Sequence, residues 1–172
     1  MFWGSFRGIY ATELTDNGLE IKKKTDGTPV LKKRICGNRF EGTNIYKRGE
    51  YYYLFASIGT CCNGATSTYQ TVVGRSKNVL GPYLDKTGRD MLYDYCEIIM
   101  SGNETWAGPG HNSILIQDDV GTDWIIYHGY KKKEAENGRY VLMDKLIWSN
   151  DGWPSVKSNA PSILEVAPYF QK

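Results

Sequence analysis

Two stretches of this chain repeat each other, and that repetition constrains the fold more than any other feature. Glu41-x-x-x-Ile45, a turn, Tyr51 to Ala56, Thr71 to Val73 and Leu80-Gly81-Pro82-Tyr83 form the first copy. His111-x-x-x-Leu115, a turn, Trp124 to Gly129, Leu142 to Leu146 and Asp151-Gly152-Trp153-Pro154 follow in the same order. Phe2 to Leu19 matches only the later part of the unit. Antiparallel strands joined by turns, repeated without a crossover helix, have the pattern of a β-propeller blade. The chain is expected to be all-β, an incomplete propeller of about two and a half blades, with a ring normally needing about four to eight. Within a single domain, residues 1–35 finish one blade, 36–105 make a second and 106–172 a third.

Local patterns place the strands. Phe2 to Phe6 and Ile9 to Leu14 read as a strand pair before the turn Thr15-Asp16-Asn17-Gly18, and Asp26-Gly27 marks a second turn. Phe40 to Ser57 reads as a hairpin about Lys47-Arg48-Gly49-Glu50. Tyr69 to Val73, Ile114 to Ile116, Trp124 to Tyr130 and Tyr140 to Trp148 are further strands, and residues 84–105 are the least regular part. No stretch has a sustained helical period. In a propeller the first strand of each blade lines the central channel, so Glu41 and His111 are expected at equivalent inward positions in neighbouring blades. Gly42, beside Glu41, leaves room for another group to approach the backbone.

Composition excludes several function classes. Among 172 residues there are thirteen Tyr, five Trp and nineteen Gly, which suits short strands, turns and a carbohydrate surface. A net charge of +2 gives no domain-wide basic excess, and Lys22–Lys24 and Lys131–Lys133 fall at predicted loops, so no nucleic-acid partner is expected. No apolar run reaches membrane length and the N-terminus has no signal-peptide pattern, so neither a membrane partner nor a compartment is assigned. Cys36, Cys61, Cys62 and Cys96 lack metal spacing, and adjacent cysteines bridge badly, so all four are expected mostly as free or buried thiols. Strand aromatics such as Tyr51, Tyr53, Trp124 and Trp148 are expected to pack between blades rather than face a sugar. His128 is expected to be structural.

The motifs Phe-Glu-Gly-x-x-Ile-Tyr-Lys-Arg at 40–48, Gly59-Thr60-Cys61-Cys62-Asn63-Gly64 with Ser67-Thr68-Tyr69, and Val73-Gly74-Arg75-Ser76 resemble glycoside hydrolase family 43. So do Gly81-Pro82-Tyr83, Ser101-Gly102-Asn103-Glu104 and Gly108-Pro109-Gly110-His111-Asn112-Ser113. Within the family they are most similar to the endo-α-1,5-L-arabinanases. The resemblance runs from Gly4-Ser5-Phe6 to Trp153-Pro154 and implies a five-bladed propeller that hydrolyses α-1,5-linked L-arabinofuranosyl units of arabinan or arabino-oligosaccharides with inversion. It implies Glu41 as general acid and His111 as the holder of a metal ion, usually calcium and mostly water-coordinated. Ser5 and Tyr69 fall near the family's sugar-binding surface, Tyr69 following a glycine-rich loop of the kind that carries binding groups.

The departures matter too. The family's base and its acid-tuning residue are aspartates of earlier blades, and nothing in residues 1–40 matches either motif. Arg7 stands where the family has Trp, and Asp94-Tyr95-Cys96-Glu97 replaces a glycine run. Inverting hydrolysis needs a protonated carboxyl and an ionised one roughly 6.5–9.5 Å apart, and Glu41 supplies only the first. Two readings follow. In one, the chain is the acid-bearing part of an arabinan hydrolase completed by a complementary N-terminal propeller chain. In the other, it is a catalytically incomplete carbohydrate-binding or self-assembling fragment, forming a homo-oligomer that covers its open flanks.

Overall fold

The computed structural model describes residues 1–171. Its strands group into successive antiparallel sheets. In the first, β1 (Phe2–Trp3), β2 (Ile9–Ala11) and β3 (Lys33–Cys36) lie side by side. The second is a four-stranded meander of β4 (Glu41–Arg48), β5 (Tyr51–Ile58), β6 (Gln70–Ser76) and β7 (Glu97–Met100). In the third, β8 (Trp106–Gly110) and β9 (Ile116–Gln117) both pair with β10 (Asp123–Lys131), which pairs in turn with β11 (Arg139–Lys145). A short ribbon of β12 (Ile147–Trp148) and β13 (Pro154–Ser155) follows. Helical structure is confined to 3-10 turns.

Strand β5 shows why the sheets stack. Side chains alternate across a strand. Leu54, Ala56 and Ile58 therefore join one core with Ile9, Ile35, Phe40, Val72 and Tyr83, while Tyr53 and Phe55 join a second with Val73, Ile99, Leu115, Ile125 and Trp153. The middle sheet is thus buried on both faces, against the first sheet and against the third. Tyr53 meets Trp148 edge-on at 4.8 Å, and Trp124 is also buried, so those aromatics pack as expected. Phe55 is fully buried in the second core. Phe55→Ala is expected to cost about 3–5 kcal/mol, read as a fall in the urea unfolding midpoint.

Several local expectations are corrected. Strands β1 and β2 are shorter than the spacing predicts, because Gly4 (φ 133°) and Phe6 (φ 45°) turn the chain between them. Phe6 N–H then donates to the Phe40 carbonyl at 2.9 Å, tying this turn to the head of β4. Residues 106–110 form a strand to which the sequence assigned no element, and only Ile116 of the Ile114–Ile116 run belongs to β9. Tyr140 to Trp148 divides into β11 and β12. Cys61 and Cys62 are disulfide-bonded to each other in the loop before β6, whereas Cys36 and Cys96 are free thiols. Burial pushes the Cys36 thiol well above its usual range.

Candidate functional site

The site is built where the inner strands of two neighbouring sheets break step. In the second sheet Glu41 pairs with Ser57 and the register then slips before Asn44 pairs with Phe55; Gly42 sits in that bulge at φ 60°. In the third, β8 ends at Gly110 opposite His128, and the inner strand resumes only at Ile116 opposite Trp124. His111 begins that break at φ 51°. The two bulges are neighbours in space. A Cβ on Gly42 would lie 3.0 Å from Cγ of His111, so the bare glycine is what lets the imidazole approach.

Glu41 is half-buried at the head of β4 and both of its oxygens are engaged. Ser5 Oγ donates to Oε2 at 2.9 Å and Tyr69 O–H donates to Oε1 at 2.5 Å. Ser5 reaches the carboxylate because the Phe6–Phe40 bond folds the Gly4–Phe6 turn over the strand start. Tyr69 reaches it from the far side, just ahead of β6. Its fit depends on the Gly108-Pro109-Gly110 run, since a Cβ on Gly110 would fall 2.3 Å from the Tyr69 ring and one on Gly108 would meet Ser67 and Tyr69. Burial first, and then the bond to Glu41, push the Tyr69 hydroxyl well above the usual tyrosine range, so it stays protonated.

Tyr69 is fully buried, and here the expectation of a sugar contact from a loop is corrected. Its ring has no open face for a sugar, one side being stacked on His128 at 5.8 Å and 14°. It holds the carboxylate instead. Ser5, by contrast, is exposed beside Glu41 in a cleft of about 380 Å³ with Phe2, Trp3, Thr43, His111 and Asn112. A hollow of about 470 Å³ beside Arg75 and Lys86 is larger, but its carboxylate, Asp85, is tied to Arg89.

Sequence reasoning missed three contributors. His128 stacks between Tyr69 and His111, 6.2 Å from the His111 ring, and its pairing with Gly110 was hidden because no strand was assigned to residues 106–110. Thr43 Oγ1 and Asn112 Oδ1 line the cleft and, although buried, have no hydrogen-bond partner among the described residues. Asn112 is only 4% exposed. Such orphaned oxygens cost free energy unless a ligand or water meets them. No composition signal marks either residue.

His111 itself is exposed on the cleft. Among the described residues no three His, Cys, Asp or Glu side chains cluster closely enough to hold a metal. One imidazole with the orphaned Asn112 and Thr43 oxygens nearby suits only a cation that takes most of its ligands from water, which calcium can do.

Burial, then Arg139 and His111, push the His128 pKa down to about 4. The unfolded chain takes up this proton near the ordinary value of 6.5, so the folded state loses stability as pH falls from there toward 4 and keeps its full contribution above it. The urea midpoint is expected to drop across that window, and to drop less in His128→Phe.

The family model for glycosyl hydrolases family 43 matches residues 1–154. The chain is 45% identical over 118 residues to an extracellular exo-α-(1→5)-L-arabinofuranosidase of Cellvibrio japonicus, covering 69% of this chain and 33% of that protein. It is 41% identical over 155 residues to an extracellular endo-α-(1→5)-L-arabinanase of Bacillus subtilis, covering 89% of this chain and 45% of the relative. A Cellvibrio cellulosa α-L-arabinanase solved with arabinohexaose superposes with a TM-score of 0.75 at 34% identity, over 91% of this chain and 52% of that one. The chain thus spans about half or less of the length of these relatives. They are five-bladed β-propellers, and the three stacked sheets form part of one.

Proposed function

The chain belongs to glycosyl hydrolases family 43, and from that premise we propose that it carries the acid side of an arabinan-hydrolysing site. The observation that supports this is the half-buried Glu41 at the cleft, held through both oxygens by Ser5 and Tyr69. Glu41 acts as the general acid. It protonates the departing glycosidic oxygen as the bond to the α-1,5-linked arabinofuranosyl unit breaks, while a second carboxylate activates water from the opposite face. No other carboxylate lines the cleft among the described residues. The base therefore comes from the part of the relatives' length that this chain does not span, on the same polypeptide or a separate one. His111, with Asn112 and Thr43 beside it, would hold calcium, and the ion would supply positive charge near the site.

The flank of the first sheet favours such a completion. Phe2, Leu14, Val30, Leu31 and Leu80 line an apolar hollow of about 480 Å³, and Leu31 is 78% exposed. Large apolar patches on an open sheet mark an interface. The test is to titrate this chain with the N-terminal portion of a family relative, following molar mass by light scattering and release of sugar from linear arabinan. A one-to-one complex that cleaves arabinan is expected. A discrete dimer of this chain that excludes the added portion and binds arabinan without cleaving it would favour a self-assembling binding module instead.

A further inference from the structure

We propose that the Cys61–Cys62 disulfide is a reversible redox modification site, opened by a small dithiol, and that its state sets the order of the loop that delivers Tyr69 to Glu41. Only the consequence for cleavage rests on Glu41 being the acid. The disulfide lies near the start of the connection between β5 and β6, where Cys62 is exposed and Cys61 half-buried. Cys61 directly follows Thr60, and Thr60 closes the neck of this loop. Its N–H donates to Thr68 Oγ1 at 3.1 Å, its Oγ1 accepts from the Thr68 N–H at 3.2 Å, and its carbonyl accepts from the Tyr69 N–H at 3.1 Å. Beyond the neck, Asn63 N–H donates to Ser67 Oγ at 2.9 Å and Ser67 N–H to the Gly64 carbonyl at 3.1 Å. The residue whose amide the neck holds is the one whose hydroxyl donates to Glu41 Oε1.

A bridge between adjacent residues encloses no intervening chain, so it takes little entropy from the unfolded state and adds little to global stability. What it fixes is the backbone between Cys61 and Cys62. Opening it frees that backbone right beside the neck, in a surface loop of the kind that opens locally while the sheets stay folded. Exposure decides which sulfur reacts. A thiolate of the dithiol attacks the Cys62 sulfur, the S–S bond breaks, and Cys61 leaves as a thiolate that takes up a proton. The second thiolate of the reagent then attacks the reagent's own sulfur in the mixed disulfide. Cys62 leaves in the same way, and the dithiol closes to a cyclic disulfide, oxidised by the electron pair it has given the protein. Cys36 is fully buried and takes no part.

The test is hydrogen exchange read by mass spectrometry on the full chain, oxidised and after brief dithiothreitol treatment without denaturant, with maleimide labelling of the same samples. The oxidised chain is expected to take no label at Cys61 or Cys62, and the reduced chain to take one on each and none on Cys36. Reduction is expected to speed exchange across residues 60–69 by about tenfold and to leave β4 and β10 as they were, with the urea midpoint hardly moved. Oxidised glutathione should restore the slow exchange. Cys61→Ala combined with Cys62→Ala should exchange like the reduced chain whether or not dithiothreitol is present. In the cleaving complex, reduction should lower kcat by about tenfold, as the hold on Glu41 loosens. Label entering Cys61 and Cys62 before reduction, or exchange across residues 60–69 unmoved by reduction, would overturn the proposal. Glu41→Gln retaining full arabinan cleavage would overturn the role of Glu41 without touching the exchange result.

Discussion

Glu41→Gln in the assembled enzyme is expected to slow cleavage of linear arabinan by about 10²–10⁴-fold. The amide matches the carboxylate in size and can still meet Ser5 and Tyr69, so the fold should be unaffected. What it lacks is a proton to give. The loss should therefore depend on the leaving group. An aryl arabinofuranoside whose phenolate departs readily without protonation should lose far less activity than arabinan does. Equal losses on both substrates would show that the residue binds or orders the site rather than acting as the acid. The comparison isolates the chemical step from packing because the same variant is used throughout.

Gly110→Ala is expected to be among the most damaging single methyl groups that can be added near the site. Its Cβ would fall 2.3 Å from Cδ1 and 2.6 Å from Cε1 of Tyr69, a ring with no exposed surface. The ring cannot swing outward as a long surface side chain would, since His128 is stacked on it. Overpacking of this kind costs about 1–3 kcal/mol or more, read as a lower urea midpoint. Any structure that relieves the clash by moving Tyr69 also loses its bond to Glu41. Activity in the complex should fall by more than the fraction unfolded explains. An unchanged midpoint would mean that β8 and Tyr69 are not packed as described.

Much of this was legible in the sequence, and the exceptions have physical causes. The Phe40 to Ser57 hairpin announced itself through a Gly-containing turn, with Gly49 at φ 58°, and a dense aromatic strand, so the position of Glu41 at its head followed. His111 was paired with Glu41 by the repeat, and both stand at breaks in inner strands. Strand β8 was missed because Ala107, Gly108, Pro109 and Gly110 carry no strand propensity; the segment is a strand because those small residues let Tyr69 pack against its backbone. Propensity is silent about such a constraint. Tyr69 was misjudged for a related reason. Its neighbourhood in sequence is a glycine-rich loop, whereas its neighbourhood in space is β8 and His128. Thr43 and Asn112 stand out only through hydrogen bonds they do not make, which a sequence cannot display.

The central claim is that this chain contributes the acid to an inverting arabinan hydrolase. The most direct measurement is the anomeric configuration of the sugar first released from linear arabinan by the completed complex, followed by proton NMR before mutarotation. The account predicts a β-configured product from the α-linked substrate, produced with wild-type chain and lost with Glu41→Gln. An α-configured product, or unimpaired release by the Gln variant, would contradict it.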